Sequence, residues 1–154
     1  MLKIKIKTFQ ELTKEELYSL LQLRSEVFVL EQHCIYQDVD GKDQKAHHVL
    51  GYKNEKLIAY TRIFKPGDYF EQASIGRVVV AKNQRQFKYG IDIMKASVEA
   101  VNNELKENII KISAQAYLKT FYEKFGFETI GEEYLEDDIP HIAMVVNIEN
   151  VKNQ

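Results

Sequence analysis

The sequence predicts an α/β (α+β) fold, a mixed central sheet of about six to seven strands flanked by helices. Three observations carry that prediction. Short β-branched runs such as "KIKIK" and "IGRVVV" alternate with longer segments whose apolar residues step by three and four. At "VVVAKNQRQFKYGIDIM" a strand passes through a short turn into a helical pattern, the join that returns a helix across a sheet. Only two prolines interrupt the 154 residues, with no repeat, linker or low-complexity stretch, so one domain over 1–154 is expected.

Residues 3–7 alternate strictly, with Ile4 and Ile6 on one face and lysines on the other, as in a half-buried edge strand. "TKEE" at 13–16 is a capping-box start. Leu17, Leu20, Leu21, Val27 and Phe28 follow at helical spacing, predicting a helix over about 13–29. The polar stretch 31–44, "EQHCIYQDVDGKDQ", is expected to be a loop. "HHVLGY" and "KLIAYTRIF" flank the turn-like "KNE" as a hairpin, and "GDYFEQ" separates it from a strand at about 74–81.

Phe87, Ile91, Met94, Val98, Val101 and Leu105 then step by four and three, the longest helical pattern in the chain. "NIIKISAQ" is expected as a buried strand with Ile110, Ile112 and Ala114 on one face. "AYLKTFYEKF" is a shorter helix, with Gly126 at the place of a left-handed cap. Strands near 128–131 and 140–147 complete the order.

A net charge of −2 argues against general nucleic-acid affinity, which needs a basic surface. The lone Cys34 excludes an internal disulfide and fits a reducing compartment. No apolar run reaches signal-peptide length or the ~20 residues of a membrane span, so a cytoplasmic protein without a membrane partner is expected.

Lys82, Arg85 and Lys88 form a basic corner between strand and helix. A helix N-terminus offers unpaired N–H groups and partial positive charge, a seat for a diphosphate. Solvated surface charge explains the same three residues equally well. The wider sequence adds to this. "LRSEVFVLEQ", "YQDVDGKD", "IGRVVV", "SAQAYLKTFYEKFGF" and "GEEYLEDDIPHIAMV", in that order, resemble the GNAT superfamily of acyl-CoA-dependent N-acyltransferases, in its ElaA-like branch.

That resemblance implies the GNAT acyl-CoA N-acyltransferase fold, acetyl-CoA as co-substrate, and cofactor-binding residues. The strand before the corner, with Val78, Val79 and Val80, would pair its backbone with the pantetheine arm. The pyrophosphate signature, Gln/Arg-x-x-Gly-x-Gly/Ala, maps onto Arg85, Gln86, Phe87, Lys88, Tyr89 and Gly90. Lys88 replaces its first glycine, and Gln86 stands where another glycine is common. Either Lys88 swings outward and lends its charge to the phosphates, or binding is weakened. The first is preferred, because backbone N–H groups would make the main contacts. Gln115 falls where the family often has an asparagine touching the cofactor arm.

Acyl transfer from a thioester needs a neutral amine, donors for the oxyanion and a donor for the departing thiolate. Tyr122 aligns with the tyrosine that many family members place beside the CoA sulfur, four residues before Gly-Phe. Against that role, Tyr117, Phe121 and Phe125 form an i, i+4 aromatic stripe of the kind that usually packs a core, from which Tyr122 is offset by one. Glu133, His141 and Glu31 are the candidate bases, each equally at home as an exposed or structural group. The acidic run Glu132, Glu133, Glu136, Asp137, Asp138 suits a cationic amine or an acidic surface loop.

Two constellations lose weight on spacing. Counted from Asp38, Gly41 is fourth and Val49 twelfth, which fails the calcium-loop pattern. One cysteine and adjacent His47 and His48 lack paired zinc-ligand spacing, so no metal is expected. Cys34 has no basic neighbourhood to make it reactive.

The expectation is therefore an acetyltransferase moving an acetyl group from acetyl-CoA to a primary amine, on a small molecule or a protein, by direct transfer in a ternary complex. Tyr122 would be the general acid, and a homodimer is a family-level expectation. The rival is a GNAT-fold acyl-CoA-binding or interaction module without catalysis, which the lost motif glycines favour.

Overall fold

A seven-stranded sheet organises the computed structural model, which describes residues 1–152. Its strands are β1 Lys3–Thr8, β2 His47–Lys53, β3 Lys56–Phe64, β4 Ala73–Val80, β5 Ile109–Gln115, β6 Glu128–Glu136 and β7 Ile139–Asn147. In space they run β1-β2-β3-β4-β5-β7-β6. The helices are α1 Lys14–Arg24, α2 Tyr89–Glu104, α3 Lys119–Glu123 and α4 Ile148–Lys152. None of the described helices is long and apolar enough to cross a membrane. The mixed sheet with flanking helices is the architecture that the sequence predicts.

Strand alternation splits the core in two. Val49, Ile58 and Ile63 pack with Ile93, Met94 and Val101 of α2, while Leu50 and Tyr60 pack with Leu20 and Leu23 of α1. The two helices therefore cover opposite faces of one sheet. Each fully buried aliphatic side chain contributes about 1.5–3 kcal/mol.

The capping box of α1 forms as expected. Thr13 Oγ1 accepts from the Glu16 amide at 3.1 Å, and Glu16 Oε1 accepts from the Thr13 amide at 2.8 Å. Lys7 of β1 also reaches Glu16 at 2.8 Å, tying the helix start to the edge strand. The helix does not stop near 29. It widens into a π-helix at Ser25–Glu31, which packs Val27 and Phe28 inward. Segments of this kind often mark functional sites.

The strand expected near 128–131 is longer. β6 runs to Glu136 and turns through Asp137 and Asp138, at φ 52° and 63°, directly into β7. The acidic run is thus an edge strand and a tight turn, not a loop. Its pattern hides this because almost no β6 side chain is buried.

The decisive feature lies at the centre. β4 and β5 are parallel partners only at Ala73↔Ile110 and Ser74↔Lys111, whereas β4 stays paired with β3 as far as Val80. Beyond Ser74 the two strands part and open a cleft. In the same stretch β4 carries an extra residue between the pairs Arg62↔Gly76 and Tyr60↔Val79. Arg77 sits in this bulge at φ 51°.

Candidate active site

The cleft between the parted strands holds two cavities that meet at a common wall. The larger, about 440 Å³, is bounded by Val78, Val79 and Val80 of β4, by Arg85, Lys88 and Gly90 at the corner, and by Phe121. The smaller, about 100 Å³, is lined by Arg77, Ser113, Glu136, Asp137 and His141. Phe28, Gln32, Val78, Gln115, Leu118 and Tyr122 line both.

The corner is a 3-10 helix, Lys82–Phe87, that meets α2 through Lys88 at φ 61° and ψ 26°. A left-handed residue costs a side-chain-bearing amino acid roughly 1–2 kcal/mol, which gives a physical reason for glycine at this motif position. Lys88 adopts the conformation nonetheless, with its side chain exposed. Of the six corner residues singled out by sequence, Arg85, Lys88 and Gly90 line the cavity; Gln86, Phe87 and Tyr89 do not. Phe87 and Tyr89 instead pack together, with the Lys53 ammonium 4.3 Å and 5.2 Å from their ring centres.

Arg85 has a partner that the sequence did not disclose. Its Nη1 and Nη2 donate to Glu31 at 2.6 and 2.8 Å, and its Nε donates to the Val80 carbonyl at 3.2 Å. The hydrogen bonds from Arg85 hold the Glu31 carboxyl below the usual carboxylate range. Glu31 is therefore a counter-ion at the cleft mouth, with both carboxylate oxygens engaged by Arg85. Lys88 and Lys124 line the larger cavity without an acidic partner among the described residues.

Tyr122 sits at the junction. It is 6% exposed, and its hydroxyl has no hydrogen-bond partner among the described residues. Burial pushes its phenol up, so it holds its proton throughout the neutral range. Phe121 and Phe127 fix the ring by edge contacts at 5.1 and 6.2 Å. The aromatic stripe is a core stripe in part: Phe121 and Phe125 pack against the core that includes Tyr122, whereas Tyr117, in the 3-10 turn before α3, is 73% exposed. Tyr122 is the buried residue of α3.

Gln115 lies in the shared wall with its amide 3.4 Å from that of Gln32. His141 is 6% exposed; its Nδ1 is 2.7 Å from the Ile139 carbonyl and its Nε2 is 3.3 Å from Glu136 Oε2. Glu133 is exposed and lines neither cavity. The reason is strand parity: Tyr134 and Glu136 share one face of β6, and Glu133 points to the other. Ser113, Gln32 and Arg77 were missed by sequence reasoning, and Glu136 entered it only as a member of the acidic run.

The loop aspartates acquire a role as counter-ions. Arg24 bonds Asp38 and Asp43 at 2.8 Å each, Arg62 bonds Asp40 at 2.6 Å and Asp43 at 2.9 Å, and Arg77 bonds Asp38 at 2.8 Å. Arg24 and Arg62 are fully buried. Burial would raise the Asp40 and Asp43 carboxyls, but hydrogen bonds and charge from Arg62, joined at Asp43 by Arg24, outweigh it and hold both low. His48 closes the cluster between the Tyr60 hydroxyl at 2.6 Å and the Asp43 carbonyl at 2.9 Å, and burial lowers its pKa. This network pins the loop beside the smaller cavity. Among the described residues no group of three His, Cys, Asp or Glu is placed to hold a metal ion.

Comparison with known proteins agrees with this geometry. Residues 8–148 match the family model described as an acetyltransferase (GNAT) domain. Over 136 residues, 87% of this chain and 89% of the relative, the sequence is 46% identical to protein ElaA of Escherichia coli K12. The crystal structure of Escherichia coli ElaA superposes with a TM-score of 0.88 and 42% identity, covering 95% of this chain and 99% of that one. An acyl-CoA N-acyltransferase from Pseudomonas aeruginosa gives the same TM-score, identity and coverage.

Proposed function

This chain belongs to the GNAT acetyltransferase family, and from that premise we propose that it moves an acetyl group from acetyl-CoA to a primary amine within a ternary complex. Membership makes it an acyltransferase with an acyl-CoA co-substrate. One observation supports the finer reading most: β4 and β5 part after Ser74, and the two resulting cavities meet at Tyr122.

In this reading the larger cavity takes the cofactor. The free backbone edge of β4 at Val78, Val79 and Val80 pairs with the pantetheine arm. The amides opening α2 after Lys88 face the diphosphate, aided by the Lys88 ammonium. The acetyl thioester then lies at Tyr122, and the amine arrives through the smaller cavity. The nitrogen attacks, and the C–S bond breaks toward sulfur.

The raised phenol pKa refines the part played by Tyr122. A thiol has a pKa near ~8.5, so full proton transfer from a phenol held well above ~10 is uphill. Tyr122 therefore stabilises the thiolate chiefly by hydrogen-bond donation. Tyr122→Phe should lower kcat about 100-fold while leaving acetyl-CoA affinity by calorimetry unchanged. Unaltered kcat would remove Tyr122 from the mechanism. No acetyl-CoA binding up to ~1 mM, against about −8 kcal/mol for a micromolar ligand, would instead favour the non-catalytic module.

A further inference from the structure

Resting on the acyltransferase reading above, we propose that the smaller cavity receives a cationic primary amine, whose ammonium docks on Glu136 and whose proton passes to His141 Nε2. Charge in the cavity wall points to this ligand class. Arg77 is neutralised, with Nε donating to Asp38 Oδ1 at 2.8 Å and Nη2 to the Asp38 carbonyl at 3.1 Å. The three arginines and three aspartates of that network cancel. The charges left on the lining are the carboxylates of Glu136 and Asp137.

The hydrogen-bond pattern assigns the roles. Nδ1 of His141, 2.7 Å from the Ile139 carbonyl, must carry a hydrogen there, which leaves Nε2 as the basic nitrogen of the neutral ring. Nε2 faces Glu136 Oε2 at 3.3 Å. Glu136 Oε1 accepts from Ser113 Oγ at 3.2 Å, and Ser113 in turn bonds the Tyr134 hydroxyl. The Tyr134 ring lies over His141, with centres 6.2 Å apart and planes 26° from parallel. The His141 side chain is 8% exposed and that of Glu136 42%, so the pair runs from the buried cavity to solvent. A second observation is independent of this cluster. Tyr122, buried with an unpartnered hydroxyl, lines the same cavity at its junction with the cofactor side.

The step balances. The ammonium gives one proton to His141 Nε2, which releases it to water. The freed lone pair forms the C–N bond at the thioester carbon, and the C–S bond breaks with its electron pair on sulfur. A second nitrogen proton ends on the thiolate beside Tyr122. The products are an amide, the CoA thiol and one released proton.

Other groups facing the pair are Tyr134 of β6, Ser113 of β5, Arg77 of β4, Tyr69 between β3 and β4, Cys34 and Tyr36 of the loop, and Asp137 at the turn.

The test is steady-state kinetics with acetyl-CoA and three four-carbon amines: 1,4-diaminobutane, butylamine and 4-aminobutyrate. A blocked Gly-Lys-Gly peptide distinguishes a free amine from a lysyl side chain, both carrying the docking chemistry. Wild type should prefer 1,4-diaminobutane over 4-aminobutyrate by about tenfold or more in kcat/KM, because a carboxylate meets like charge. Glu136→Gln should raise KM for the diamine about tenfold with a much smaller change in kcat, and Glu136→Asp should restore most of it. His141→Gln should instead lower kcat about 100-fold with little change in KM for the diamine.

Acetyl-CoA titrations should give equal affinity for wild type and all three variants. A wild type that binds no acetyl-CoA overturns the acyltransferase reading itself. If acetyl-CoA binds, three results each overturn this proposal alone: equal use of 4-aminobutyrate, no turnover of any probe, or Glu136→Gln kinetics like wild type.

Discussion

The larger cavity is walled by three valines of one strand, by Phe121 and by the first turn of α2, whereas the smaller one draws Arg77, Ser113, Glu136, Asp137 and His141 from β4, β5, β7 and the β6 hairpin. Most of what the first offers a ligand is backbone: a strand edge freed by the parting of β4 from β5, and helix amides behind Lys88. What the second offers is side chains, held by ion pairs and hydrogen bonds. In the proposed reading a backbone seat would tolerate Lys88 where the family pattern has glycine, because every residue keeps its N–H. A side-chain seat depends on each member. Tyr122 lines both cavities, where the proposed reaction would join them.

The hardest way to break the side-chain half is through its buried ions. Arg24→Ala leaves Asp38 and Asp43 short of a fully buried partner. A loss of about 3–5 kcal/mol is expected in chemical denaturation, as for a broken buried pair. A loss under ~1 kcal/mol would show that the loop is held chiefly by packing.

Acid should sharpen the same contrast. The Asp40 and Asp43 carboxyls are depressed in the folded state, so their contribution is fully present above the unfolded carboxylate pKa near ~3.9 and is lost as pH falls through their folded values. Asp43→Asn should flatten the fall of stability below about pH 4, measured by denaturation across pH. An unchanged pH slope would place the acid-sensitive groups elsewhere.

The smallest expected effect tests the backbone half. Glu31 neutralises Arg85 at the cleft mouth, and Glu31→Gln frees that guanidinium for phosphate. Acetyl-CoA affinity should rise about threefold at low salt and less at high salt, in keeping with a partly exposed pair. A fall in affinity would mean that Glu31 is needed to hold Arg85 against the Val80 carbonyl.

Much of the backbone half was legible in the residues themselves. The β4 run, the corner and the α2 pattern appear where the spacing puts them, and the Thr13 capping box forms as written. Gly126 does take the left-handed cap, at φ 90°, where an added Cβ would come within 2.5 Å of Val151. The side-chain half was legible only in part. His141 is singled out by sequence and Glu136 only as one of an acidic run in which Glu133 is the named base, while nothing local discloses the arginine partners of Asp38, Asp40 and Asp43.

Sequence by itself determined whatever depends on neighbours a few residues away: periodicity, caps, the basic corner and, through five ordered segments, the family. Only the tertiary structure decided the partners. Gln32 meets Gln115 across 83 residues, Arg85 meets Glu31 across 54, and Arg24 meets Asp38 across 14. The reason is physical. A residue's backbone conformation and face follow from local sterics and hydrogen bonds, but the charge that neutralises it is chosen by which strands lie side by side and where two of them part.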